Sequence, residues 1–285
     1  MYYISPLLLQ YDNIVNSQAV LNQNKIAWWL SLPNTSGGKF FYDLFELNNG
    51  TLTNIPSSSY GWVSSSRESS FGNIRLSGNG DYVSIADSVS FQFGTNNFSI
   101  SGWFNLETLN NTNSNGRQTV ISRYESASSK GFSVDINTNG AIIFKVQESV
   151  STGSEFSSSD STISANAWYH FVVVRQGINS YLYVNGKLVA SGTSASILDI
   201  SSGSQSILIG EMVTSSSTHQ YFQGYIDDIS IYNIALGTNY PQRIYNEARS
   251  DYPTTLNRFS LGKAFPLASP WLYYTMLQNA YGVAL

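Results

Sequence analysis

Cysteine is missing from the sequence, which excludes disulfides, thiolate metal ligands and cysteine nucleophiles. Charge is scarce: Asp, Glu, Lys and Arg make up 11% of the 285 residues, against roughly a quarter in an average soluble protein. There is no basic stripe, and the formal net charge is −4, so binding nucleic acid by neutralising phosphates is excluded as a main role. Histidine occurs twice, too few for a three-histidine zinc site. No segment approaches the length of apolar sequence that spans a bilayer. The N-terminal "MYYISPLLLQYDNIV" lacks a basic start, and its apolar run Leu7–Leu9 is too short for the core of a secretion signal. The expectation is a chain released by lysis or carried in a particle.

What the sequence does contain is Ser, Asn, Thr, Gly and Gln together with 19 Tyr, on a background that is 42% hydrophobic. Such a composition can bury a large core and leave a surface of amides, hydroxyls and rings. That surface suits broad contacts by hydrogen bonding and stacking better than electrostatic steering.

Along the chain, from about Phe71 to Tyr232, short apolar runs alternate with Gly/Asn/Ser turns. In "FSISGWFNL", Phe98, Ile100, Phe104 and Leu106 fall on one face of a strand and Ser99, Ser101 and Asn105 on the other. Asn139-Gly140 and Asn185-Gly186 are hairpin turns, because both positions tolerate positive φ. "HFVVV" is apolar on both faces, as in a strand covered on both sides. One helix is expected, over "NYPQRIYNEAR" (Asn239–Arg249), with Pro241 in its first turn and Ile244 and Tyr245 packing on the sheet. The fold class is all-β, a sandwich of the jelly-roll kind. Residues 28–252 are read as the domain, with an irregular N-terminal arm over 1–27 and an apolar C-terminal arm over 253–285.

Three segments in order carry a resemblance: "FSISGWFNL", "AWYHFVVVRQGINSYLYVNGKLVASG" (Ala167–Gly192) and "ILIGE…YFQGYIDDISIYNIAL". A Gly-Trp strand is followed by Trp-x-His, then Tyr-Val-Asn-Gly, then Gly-x-Ile-Asp-Asp. This order resembles the LamG-like and pentraxin-like group of concanavalin A-type jelly rolls. The lead-in "IAWWLSLPNTSGGKFFYDLFELNNGTLTN" is similar to LamG-domain virion structural proteins of tailed bacteriophages, where such a segment forms the opening strands. That likeness implies a non-enzymatic virion component, a capsid decoration or cement protein or a tail-associated module. It would assemble through its arms with other virion proteins or with copies of itself as a homo-oligomer. The alternative is a carbohydrate-binding, lectin-like adhesion module at a bacterial surface or outside the cell, recognising a host-surface glycan.

Enzymes share this fold, and retaining glycosidases need two carboxylates about 5–5.5 Å apart. The Glu-x-Asp-x-x-Glu strand of the laminarinase-like branch does not occur here, so no catalytic residue is assigned and the chain reads as a non-enzyme. Asp227 and Asp228 are neighbours on a strand and are expected to face opposite ways. His170 reads as a structural strand histidine and His219 as a solvated loop residue. No cofactor is implied beyond calcium, which relatives of this fold hold between loops. Asp81 in "GNGDY" and Asp228 in "YIDDIS" are the acids that could supply such a site, against ordinary roles in a turn and as an acceptor for loop amides. Trp103, Tyr124, Tyr221 and Tyr225 are aromatic candidates for stacking on sugars, or for the core.

Overall fold

The computed structural model describes residues 21–247, apart from 22, 30, 32–38, 44, 46, 56–60, 64–72 and 202. The chain opens with the short strands β1 (Lys25–Trp29), β2 (Phe40–Phe41), β3 (Gly50–Thr53), β4 (Trp62–Val63), β5 (Asn73–Ser77) and β6 (Tyr82–Ile85). Longer strands follow: β7 (Phe98–Leu106), β8 (Arg117–Glu125), β9 (Lys130–Asn137), β10 (Ile142–Ser149) and β11 (Thr152–Ser157). Next come β12 (Trp168–Gln176), β13 (Asn179–Val184) and β14 (Lys187–Thr193). The series ends with β15 (Ile207–Ile209), β16 (Glu211–Ser215), β17 (Thr218–Tyr221), β18 (Gln223–Tyr232) and the helix α1 (Tyr240–Glu247).

Two eight-stranded antiparallel sheets result. One runs β14-β13-β12-β7-β18-β5-β4, with β1 also on β18; the other runs β11-β10-β9-β8-β15-β6-β3-β2. The alternation in β7 sends Phe98, Ile100, Phe104 and Leu106 into the space between the sheets. There they meet Phe132, Val134 and Phe144 of the second sheet in one continuous core. Burying each such side chain contributes about 1.5–3 kcal/mol, so the interior dominates stability. Gly102 keeps β7 thin where it crosses this core: a Cβ there would lie 2.2 Å from Ile229 Cδ1 and 2.9 Å from Phe171 Cε1.

The doubly apolar β12 has a matching cause. Phe171 and Val173 enter the main core, whereas Val172 and Val174 point outward into a second cluster with Leu21, Tyr183, Tyr232 and Leu236. Tyr240 and Ile244 of α1 pack on that cluster, so the helix covers the outer face of the first sheet there.

The lead-in segment does form edge structure: β2 and β3 complete the border of the second sheet. Asp43 fastens it to the first. Its buried carboxylate accepts hydrogen bonds from the Trp28 amide (2.9 Å) and, inside the turn, from the amides of Phe45 (3.2 Å) and Asn48 (3.1 Å). A buried carboxylate is tolerated when donors satisfy it in this way. Of the arms, 253–285 lies outside the described residues, as do 1–20. Leu21 and the residues from Gln23 to Ala27 are described, and they join the sandwich through β1 and the second cluster. Among the described residues no helix is long and apolar enough to cross a membrane.

Candidate functional site

Asp81 and Asp228 are not brought together. Asp81 closes the β5–β6 turn, accepting the Ser77 amide at 2.6 Å on one oxygen and the Ser77 hydroxyl at 2.8 Å on the other. Asp228 accepts the Trp28 indole N–H at 2.7 Å. Ser77 pairs with Gln223, and Asp228 lies five residues further along β18, about 16 Å at the usual strand rise. Both carboxylates thus serve contacts within the chain. Among the described residues, no group of three or more His, Cys, Asp or Glu converges as a metal site would require. Asp227 is fully buried and accepts the Ser31 amide at 3.2 Å, so the two adjacent acids do take separate partners. A bulge lies between Asp227 and Ser230, with Asp228 at φ 53°.

The two histidines have unlike surroundings. His170 is buried on the outer face of β12, its ring 5.1 Å from Trp103 and 6.0 Å from Tyr245, a packing role. His219 departs from its expected place in a solvated loop. It lies on β17, stacked on Tyr221 at 5.2 Å, with Nδ1 2.7 Å from Glu211 Oε1. Burial holds the Glu211 carboxyl above its ordinary range, against the opposing pull of His219. The β16–β17 hairpin is short, and nothing in "TSSSTHQ" announces that His219 would face a buried glutamate.

The aromatic candidates separate in the same manner. Trp103 is buried beneath Tyr245, with centroids 5.7 Å apart and rings nearly parallel. Tyr124 carries the Lys145 ammonium 4.6 Å above its ring and donates its hydroxyl to Gln147 at 3.2 Å. Tyr225 meets Trp168 at 6.4 Å on the outer face of the first sheet.

The groove comes from a combination that sequence patterning did not single out. Asn185 and Gly186 turn β13 into β14 with φ of 49° and 78°, the two positive values of a type I′ turn. The Asn185 side chain accepts the His170 amide at 2.9 Å, and its own amide donates to the His170 carbonyl at 2.8 Å. The turn is thereby fixed to β12. Its tip packs on α1 so closely that a Cβ at Gly186 would lie 2.8 Å from the Gln242 Cα. Beside this contact lies an open groove of 440 Å³, lined by Thr162, Tyr169, Asn185, Lys187, Gln242 and Tyr245, with Val184, Val189 and Asn246 completing it. Tyr169 is steadied by the Ser164 amide, which donates to its hydroxyl at 3.1 Å. Tyr245 is steadied by its stack on Trp103, and Gln242 donates to Asn246 at 3.0 Å. Two rings, three amides, a hydroxyl and an ammonium face one space, and among the described residues no carboxylate lines it.

A model of the Concanavalin A-like lectin/glucanases superfamily matches residues 77–239, more than half of the chain. The chain belongs to this superfamily. The match runs from the end of β5 through the loop before α1, so it takes in the β13–β14 turn and stops just short of the helix that forms the groove's other wall. Several solved structures share the sandwich. The binding domain of Paraclostridial Mosquitocidal Protein 1 superposes with a TM-score of 0.61 at 19% identity, over 79% of this chain and 52% of that one. A botulinum neurotoxin type C structure, whose cell entry depends on interaction with two ganglioside molecules, gives 0.60 at 19% identity over 81% and 53%. The binding domain of botulinum neurotoxin DC, in complex with rat synaptotagmin II, gives 0.59 at 18% identity over 80% and 52%. At this level of identity the likeness shows the fold alone, and the chain spans about half the length of these structures. No curated protein sequence matches the chain.

Proposed function

We propose that this chain is a non-catalytic saccharide-binding module acting outside the cell or at a surface, and that its binding site is the groove between α1 and the Asn185-Gly186 turn. The observation that carries this reading is the convergence of Tyr169 and Tyr245 with Asn185, Gln242 and Asn246 on one open space. Sugar rings present apolar C–H faces and a rim of hydroxyls. Tyrosine rings match the faces, and amides both donate to and accept from the rim. Among the described residues the groove offers no carboxylate pair, whereas retaining glycosidases need two within about 5–5.5 Å, so binding without hydrolysis fits its described lining.

Two of the solved structures named above are binding domains, of Paraclostridial Mosquitocidal Protein 1 and of botulinum neurotoxin DC, and they support a binding module over a virion component. The capsid or tail role rests on the resemblance of the lead-in segment alone, and the arms over 1–27 and 253–285 through which it would assemble lie mostly outside the described residues. A host-surface glycan is the partner this reading requires. Calcium has no part in it, because Asp81 and Asp228 are committed within the chain. Binding is expected to survive EDTA.

The test is a glycan array with the full chain, followed by calorimetric titration of whichever saccharide is retained. Tyr245→Ala should weaken binding about tenfold or more, as loss of an aromatic anchor does. Asn246→Ala, which removes no core contact, should weaken it less while keeping the melting temperature. An array without a hit, or affinity unchanged in both variants, would sink the proposal.

A further inference from the structure

We infer that the groove is selective for a saccharide bearing a carboxylate, as in a sialic or uronic acid, and that Lys187 is the residue that reads it. This rests on the groove being a saccharide site. The reason lies in how the chain uses its few cations. Arg75 is bound to Glu107 at 2.6 Å, Arg117 to Glu155 at 2.7 Å and Arg123 to Asp87 at 3.0 Å. Arg175 donates to the carbonyls of Gly94 and Leu198. Lys25 sits 3.7 Å above the Trp28 ring, and Lys145 stands over Tyr124. Lys187 makes no such contact: it is exposed at the first position of β14, and among the described residues it has no carboxylate, carbonyl or ring as partner. It is nevertheless fixed at its base, because Lys187 pairs with Val184 across the two-residue turn.

The surroundings of Lys187 favour an anion. Among the described residues no acidic side chain lines the groove to neutralise the ammonium, and Val184 and Val189 provide an apolar wall beside it. Next to such a wall, a charge–charge contact is stronger than in open water. Lysine acts as a compact point charge without the forked geometry of arginine, so it suits a single carboxylate on a sugar whose ring is placed by other groups. Tyr169 and Tyr245 would place the ring, while Thr162, Gln242 and Asn246 would meet its hydroxyls. A chain with net charge −4 does not attract anions at long range, so the selectivity arises locally at this ammonium.

Matched pairs of saccharides test the inference on the full chain. One pair is 3′-sialyllactose against lactose; the other is a hyaluronan tetrasaccharide against its carboxyl-reduced form. In at least one pair the acidic member should bind about tenfold more tightly, the usual worth of a charge-assisted contact. Which pair shows the difference identifies the sialic or the uronic source. Lys187→Gln, an exposed substitution, should abolish that difference by lowering the acidic member's affinity about tenfold, more than it changes the neutral member's. Equal binding of acidic and neutral members, or a preference that persists in Lys187→Gln, overturns the inference and leaves the saccharide groove standing. Failure of every saccharide on the array and in both pairs overturns the groove reading and this inference together.

Discussion

Asp135 shows how far a single side chain can be taken out of water in this fold. It is wholly buried on β9, where the Thr119 hydroxyl donates to it at 2.6 Å and the Ser133 hydroxyl at 2.7 Å. Burial raises its pKa above the ordinary aspartate range, and the two hydroxyl donors, with the more distant charges of Arg117 and Lys145, only partly offset this. The folded state therefore holds the proton more strongly than the unfolded chain. This contribution to stability is complete below the ordinary aspartate pKa and is lost as pH rises through the elevated folded value. Asp135→Asn should remove that dependence, so urea midpoints of the variant should gain on the wild type between pH 4 and pH 7. A gap that stays constant over that window would refute the assignment. Polar residues such as this one were hard to read in advance. "GFSVDIN" alternates correctly, so the sequence places Asp135 on the face opposite Phe132 and Val134. It does not tell that a later hairpin, β16–β17, brings Gln220 to within 3.2 Å of the Thr119 hydroxyl and closes over that face.

At the scale of elements, the Asn185-Gly186 turn and α1 act as one device. The turn was legible, because two consecutive positive φ values strongly favour Asn-Gly between apolar strands. The helix was legible as well: Tyr240–Glu247 falls inside the expected Asn239–Arg249, with Pro241 in its first turn. Their meeting was not, since nothing local in either segment encodes the approach of Gly186 to Gln242. Gly186→Ala should therefore act in two ways. An alanine at φ 78° costs about 1–2 kcal/mol, and its Cβ would press on the Gln242 backbone. Denaturant unfolding should show the destabilisation, and saccharide affinity should fall more than in Lys187→Gln because one wall of the groove moves. A Gly186→Ala protein with unchanged stability would mean that α1 is not seated on the turn.

For the whole molecule, the described core is continuous between both sheets from β1 to β18, and the second cluster draws Leu21, Leu236 and Ile244 onto the outer face of the first sheet. A chain trimmed to residues 21–247 should therefore fold cooperatively and sediment as a monomer. If the full chain sediments as a larger species beside it, assembly belongs to the arms; a trimmed chain that fails to fold would show that they complete the core. The all-β sandwich itself was legible from alternation and turns, because those signals are local and repeated. Sheet order was not, since it depends on partners far apart in sequence.

One feature of that order governs how the chain reaches its folded state. β18, near the end of the described chain, lies between β7 on one side and both β5 and β1 on the other, with β5 along its first half and β1 along its second. Until Tyr232 has left the ribosome, β7 has only β12 beside it, and β1 and β5 have no central strand to join. The first sheet therefore closes only after synthesis has passed some two hundred residues, with unpaired apolar edges waiting meanwhile. Such long-range pairing slows folding and exposes strand edges to aggregation while they wait.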